Sequence, residues 1–331
     1  MDIFFHSSQL FYAPQQEFTG FKLKPSVENP TRIELLKQAL SKSSLDFDLL
    51  EPKLIETTNI LEEVHDADYI EFLSSVPPDW KEGAPHAFAY PHARTIKHNS
   101  FKAQLGYYLF DPSTPITPNT FQSARASASS ALACVNELSK KNIAVALCRP
   151  PGHHAMKKVG GGYCFFNNVA IAANKALKKG KTVSIIDVDY HHGNGTQELF
   201  YTTSKVQYIS IHADPREAYP YYWGSKEEIG EGDGKGFNVN YPLAKHASEE
   251  EYTNVLTKAI KEIQDYNPDY VFVSLGLDIY IKDPVGGMNI SKEYFATIGN
   301  KLSIFPKLGV FLEGGYSQDI GTCFVNVLEN V

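Results

Sequence analysis

TVSIIDVDYHHGNG, residues 182 to 195, is an apolar run that breaks into acids and imidazoles. The β-branched stretch from Thr182 to Val188 reads as a buried strand, and His191-His192-Gly-Asn194 as the loop after it. Asp189 and His191 stand two apart just past that strand. In extended backbone their side chains leave on one side and can grip one ion. The same form recurs along the chain. Apolar runs at Ile143 to Cys148, Val206 to His212, Tyr270 to Leu275 and Leu308 to Leu312 lead into Arg149-Pro-Pro-Gly-His153-His154, His212-Ala-Asp214, Asp278 and Glu313-Gly-Gly-Tyr316. Helical patterns lie between them at Thr120 to Lys140, Asn167 to Lys179, Ser248 to Tyr266 and Ser291 to Phe305, the last two opened by Ser-x-x-Glu or a similar cap. This alternation predicts an α/β fold with a central, mainly parallel sheet flanked by helices. The C-terminal ends of its strands share one edge, and that edge carries the active site.

The chain has 331 residues, 43% hydrophobic and 21% charged, enough to bury a large core. No linker, charge block or internal repeat divides it, so residues 1–331 read as a single domain. Asp79 to Pro112 departs from the pattern. It is rich in Pro, His and aromatics, carries Arg94, Lys97 and Lys102, and reads as a long loop of the kind that serves as a lid or an interface. A net charge of -7 and a pI near 5.9 argue against nucleic acid as a partner and favour a cationic substrate. The N-terminal MDIFFHSSQLFY lacks the basic and apolar regions of a secretory signal, and no stretch is apolar for long enough to span a membrane. A cytoplasmic location is expected. Cys134, Cys148, Cys164 and Cys323 form no C-x-x-C pair and sit among apolar neighbours, which predicts reduced, buried thiols.

Asp278, just past the strand YVFVSLG, reaches the same edge as Asp189 and His191. Two carboxylates and one imidazole leave a coordination position open for water, the arrangement of a catalytic metal. Zinc suits it best, and Fe2+ or another divalent ion fits the same ligand types. Amide hydrolysis needs a polarised carbonyl, an activated water and a proton for the leaving amine. His153 or His154 can move the protons, and the Tyr316 hydroxyl can donate to the developing oxyanion. Gly314-Gly315 reads as a flexible turn that lets the phenol swing. Asp187 and Asn194 suit the imidazole N–H groups of the His153–His154 dyad, which they would fix in tautomer. His192 flanks a ligand and reads as structural.

RPPGHHA, GGGYCFFNN, DVDYHHGNG, SLGLD and EGGY, in this order, resemble the histone deacetylase superfamily, the arginase/deacetylase fold. The resemblance runs from VHDADYIEFL, near Val64, to the C-terminus. GGYCF, DPREAYPYYWG and LEGGY are most similar to the bacterial acetylpolyamine amidohydrolases. The resemblance implies zinc on Asp189, His191 and Asp278, general base and acid work for His154, an electrostatic role for His153, and a transition-state role for Tyr316. It also implies a structural potassium ion on Asp187, Asp189, His191 and Ser210 with backbone carbonyls, and a narrow substrate tunnel lined by Gly162, Tyr163 and Tyr219. Tyr280 stands where the paired-manganese branch would place a second aspartate after Asp278, so one catalytic metal is expected. The implied substrate is a small acetylated amine, with acetyl-lysine in a protein as the rival, and a homodimer through the long loop is implied as well. Relatives of the polyamine type use acids in that loop, whereas here it offers basic residues, with Asp111 the nearest acid.

Two other readings fail on context. A module that binds acetylated ligands without cleaving them would not need the intact dyad, ligand set and tyrosine. The glycines of GEGDGKG, from Gly230 to Gly236, follow no strand and precede no Gly-Lys-Ser/Thr, so they read as a solvated turn and not a phosphate loop. Lys157-Lys158 reads as a solvated edge.

Overall fold

The computed structural model describes residues 1–81 and 100–331. Among these the strands are β1 (Asp2–Phe4), β2 (Gln16–Thr19), β3 (Lys22–Pro25), β4 (Asp48–Leu50), β5 (Ile143–Ala146), β6 (Val183–Asp187), β7 (Val206–Ala213), β8 (Asn238–Leu243), β9 (Tyr270–Leu275) and β10 (Leu308–Leu312). Eight of them form one sheet in the order β4-β1-β5-β10-β9-β6-β7-β8, and every pairing in it is parallel. The five strands expected from their apolar runs are the contiguous middle of this sheet. The edges, β1, β4 and β8, were not foreseen. β1 and β4 are three residues long, β4 is exposed along its length, and β8 carries Asn and Pro, so none has the apolar run that marks a strand covered on both faces. β2 and β3 form a separate antiparallel hairpin.

Side chains along each central strand alternate between two cores. Val145 and Ile186 pack on one face with residues of the helices Thr31–Leu40, Glu249–Tyr266, Phe295–Leu302 and Ile320–Leu328. Ala144, Ala146 and Ile185 pack on the other with Thr120–Glu137 and Asn168–Lys178. Each fully buried Ile or Val contributes about 1.5–3 kcal/mol, which favours this doubly covered register over a one-residue slip. Two helix starts carry side-chain caps, whereas the helix expected from Ser291 opens at Phe295 without one. Ser248 and Glu251 form the reciprocal capping box, and the Asn167 side chain accepts the Ala170 N–H at 3.0 Å.

Within the stretch from 79 to 112, Phe101–Tyr108 is a helix, not loop. Its Tyr108 stacks on Phe72 with ring centroids 4.7 Å apart, and that packing overrides the mixed local composition. Arg94 and Lys97, and with them most of the stretch expected to form a lid or a dimer contact, lie outside the described residues. No helix among the described residues is long and apolar enough to cross a membrane.

Candidate active site

Asp187 ends β6 level with Ser210 on β7 and Ser274 on β9. From this level, the loops after β5, β6, β9 and β10 turn into one cavity of about 400 Å³. His153, His154, Gly162, Tyr163, Asp189, His191, Tyr219, Asp278 and Tyr316 all line it. Asp187, Asn194 and Ser210 are not among its lining residues and are buried.

At the floor, one ligand atom from each of Asp189, His191 and Asp278 lies within 4.8 Å of the others. His191 Nδ1 is 2.9 Å from Asp278 Oδ2 and 3.3 Å from Asp189 Oδ1. Backbone donors orient the carboxylates: the Tyr190 N–H reaches Asp278 Oδ1 at 2.9 Å, and the Gly314 N–H reaches Asp189 Oδ2 at 2.8 Å. A Cβ at Gly314 would stand 2.6 Å from both Asp189 Oδ2 and Asp278 Oδ2, so only glycine lets the backbone approach this closely. Burial, and then the Asp189 charge, pushes the Asp278 carboxyl up to about 7. Burial opposes a charge on His191, yet its hydrogen bonds to Asp189 and Asp278 push it up to about 9. Without a cation the trio must retain protons to balance two buried carboxylates. A divalent ion replaces those protons, so the donor set fits a metal.

The two histidines beside this trio have opposite electrostatics. His153 Nδ1 meets Asp187 Oδ2 at 3.0 Å. Burial disfavours its cation, but Asp189 and Asp187 outweigh that and push it up to about 10. His154 Nδ1 meets Asn194 Oδ1 at 2.7 Å. Burial first, and then the neighbouring His153, holds it well below the usual histidine range. Asn194 Oδ1 can only accept, so Nδ1 of His154 carries the hydrogen and Nε2 is the basic nitrogen. Asp187 also accepts from the Tyr208 hydroxyl at 2.9 Å. Ser210 Oγ lies 2.8 Å from His212 Nδ1. His192 bonds Gln197 through Nε2 at 3.1 Å.

The walls are aromatic. The Tyr219 ring stands 5.0 Å from His154, and Tyr163 stands 5.6 Å from Tyr316. Gly162 has φ +55°, and a Cβ there would fall 2.2 Å from His154 Cδ2. Asp111 is committed to this wall. It accepts the Gly162 N–H at 2.6 Å and the Tyr219 hydroxyl at 3.0 Å, so it is a wall brace and not a free acid for attracting substrate.

The polar groups of the Gly314-Gly315 turn, expected as a flexible one, are hydrogen-bonded to distant residues. Arg32 donates from Nε to the Gly315 carbonyl at 2.7 Å and from Nη2 to the Glu313 carbonyl at 2.5 Å, while Gly314 N–H is held by Asp189. The Arg32 guanidinium also stacks 4.6 Å from the centre of the Tyr316 ring. Arg32 in turn pairs with Glu28, which pairs with Arg149 at 2.9 Å. Glu313 Oε2 accepts the Gly152 and His153 N–H groups at 2.6 and 3.0 Å. Sequence reasoning missed these supports. Glu28 and Arg32 have helical i,i+4 spacing, but nothing local ties them to a turn almost three hundred residues away.

Residues 26–330 match the histone deacetylase domain. The chain is 38% identical over 332 residues to acetylpolyamine amidohydrolase 2 of Pseudomonas aeruginosa, covering 95% of this chain and 94% of that one. It is 36% identical to the acetylpolyamine amidohydrolase of Mycoplana ramosa, covering 100% and 99%. The crystal structure of the acetylpolyamine aminohydrolase from Burkholderia pseudomallei superposes with a TM-score of 0.91 at 33% identity, covering 100% of this chain and 98% of that one. The likeness therefore extends beyond the cavity to the sheet, the covering helices and both termini. The chain belongs to the histone deacetylase family, as an enzyme of the deacetylase type.

Proposed function

We propose that the protein is a zinc-dependent deacetylase that hydrolyses the amide of N-acetylated amines, small acetylated polyamines foremost. The observation that carries this reading is the convergence of Asp189, His191 and Asp278 at the floor of a cavity also lined by His154 and Tyr316. Zinc would be held by those three residues, with Fe2+ or another divalent ion fitting the same donors. When bound, the metal supplies Lewis acidity toward the amide carbonyl and the attacking water.

The chain's own residues do the rest. His154, neutral and tied through Nδ1–H to Asn194, takes the water proton at Nε2 and returns it to the leaving amine. His153, whose cation Asp189 and Asp187 favour against burial, is given the electrostatic role beside the developing oxyanion. The Tyr316 hydroxyl, whose proton is retained because burial raises its pKa, donates to that oxygen. Gly162, Tyr163 and Tyr219 confine a slender alkyl chain and exclude water. Asp187, Asp189, His191 and Ser210 with nearby carbonyls are proposed to hold a potassium ion, supported by the register that sets Ser210 opposite Asp187.

The test is acetate release by zinc-loaded protein from acetylputrescine and from an acetyl-lysine peptide. The reading expects the higher kcat/KM on acetylputrescine. A preference for the peptide would reassign the protein to acetyl-lysine deacylation. Binding of both without acetate release would leave a recognition module and overturn the enzymatic assignment.

A further inference from the structure

Asp283 has no part in the chemistry described so far, yet its side chain is almost fully buried, at 7% exposure, beside the cavity. Its two oxygens face different parts of the chain. Oδ1 accepts the N–H groups of Val285 and Gly286 at 3.0 and 3.2 Å. Oδ2 accepts those of Tyr316 and Ser317 at 2.6 and 3.0 Å. Pro284, Val285 and Gly286 are cavity wall, and Tyr316 lines the same cavity. One carboxylate thus fastens the wall after β9 to the turn after β10.

We propose that Asp283 is a positioning residue that sets the place of the Tyr316 hydroxyl, by holding the Tyr316 backbone and the facing cavity wall in one fixed relation. The proposal rests on the deacetylase reading for its kinetic consequence and on geometry alone for the placement of Tyr316. A tyrosine reaches its hydroxyl through two rotatable bonds and a rigid ring, so a small tilt of its Cα is carried, enlarged by the length of the side chain, to the oxygen. Arg32 fixes the carbonyls of the turn and stacks on the ring. The donors at Tyr316 and Ser317 are Asp283's share. A carboxylate suits this place because it accepts at both oxygens and donates at neither. Asn in its place would turn an NH2 toward one of the two donor pairs and leave N–H facing N–H.

Asp283→Asn is compared with the parent in Tyr316 and Tyr316→Phe backgrounds, with melting temperature and zinc content measured for each protein. In the Tyr316 background kcat is expected to fall about 10-fold or more, a part of the about 10²–10³-fold that complete loss of one oxyanion donor costs, with KM within about 3-fold. In the Tyr316→Phe background Asp283→Asn is expected to add little further loss, because the hydroxyl it places is already gone. Equal losses in both backgrounds would overturn the proposal in favour of general loosening. Asp283→Glu, which keeps both acceptor oxygens, is expected to recover part of the kcat. It serves as the second variant if the Asn protein does not fold. A readout free of metal and turnover is the 19F spectrum of 3-fluorotyrosine placed at position 316. One narrow resonance is expected in the parent, and a shifted, split or broadened one in the Asp283 variant. An unchanged resonance would overturn the positioning role whatever the activity, whereas a zinc-loaded parent without turnover but with the spectral change would overturn only the deacetylase reading.

Discussion

Tyr316 and His154 approach the same space from different strands, and each is held by groups that do not react. Removing either should therefore spare the floor of the cavity. His154→Ala is expected to lower kcat by about 10²–10⁴-fold, the usual contribution of a general acid and base. Tyr316→Phe is expected to lower it by about 10²–10³-fold, the range for one oxyanion donor. In both variants bound zinc, measured by atomic absorption after gel filtration, should stay near the parental amount. Asp278→Ala should behave differently. It removes one of the three proposed ligands, so the purified protein should carry little zinc and show no turnover until excess metal is supplied. Zinc retained in full by Asp278→Ala would contradict the ligand assignment.

At the level of elements, the support of the loop that carries His153 and His154 includes a histidine outside the proposed catalytic set. His65, in the segment VHDADYIEFL, is fully buried. Its Nδ1 lies 2.9 Å from the Met156 carbonyl, and its Nε2 accepts the Asn167 N–H at 2.9 Å. Asn167 caps the helix Asn168–Lys178, and Met156 follows the dyad by two residues, so one neutral ring joins both. Burial lowers His65 to about 4, and protonation at Nε2 would set it against the Asn167 N–H. Between about pH 6.5 and about pH 4 the unfolded chain holds more protons at this site than the folded one, so stability rises with pH through that window and is lost as pH falls. The loss from this residue is about 2 kcal/mol between about pH 7 and about pH 5. Urea midpoints at those two pH values should diverge less in His65→Gln, which cannot titrate, than in the parent.

For the whole molecule, the candidate metal trio joins the segments after β6 and β9, and Gly314 joins both to β10. A ligand that binds only the folded state stabilises it by mass action, about 2.7 kcal/mol at a concentration about 100-fold above Kd. Protein dialysed against a chelator should lose turnover and melt at a lower temperature, and zinc should restore both. A melting temperature indifferent to zinc would mean that the trio does not bind it in the folded state.

The middle of the sheet was legible from residue order because strands covered on both faces are mostly apolar, and Ile143, Thr182, Val206, Tyr270 and Leu308 each open such a run. The chemistry-bearing residues were legible for a related reason. A parallel sheet sends every strand's C-terminal end to one edge, so acids and imidazoles placed after apolar runs must gather there. Tertiary structure alone decided the rest. Phe101–Tyr108 is helical through packing on Phe72, edge strand β8 pairs despite its Asn and Pro, and Arg32 and Asp189 hold the polar groups of the Gly314-Gly315 turn. Each of these depends on partners distant in sequence, and local spacing carries no information about which distant group will satisfy a buried N–H or carbonyl.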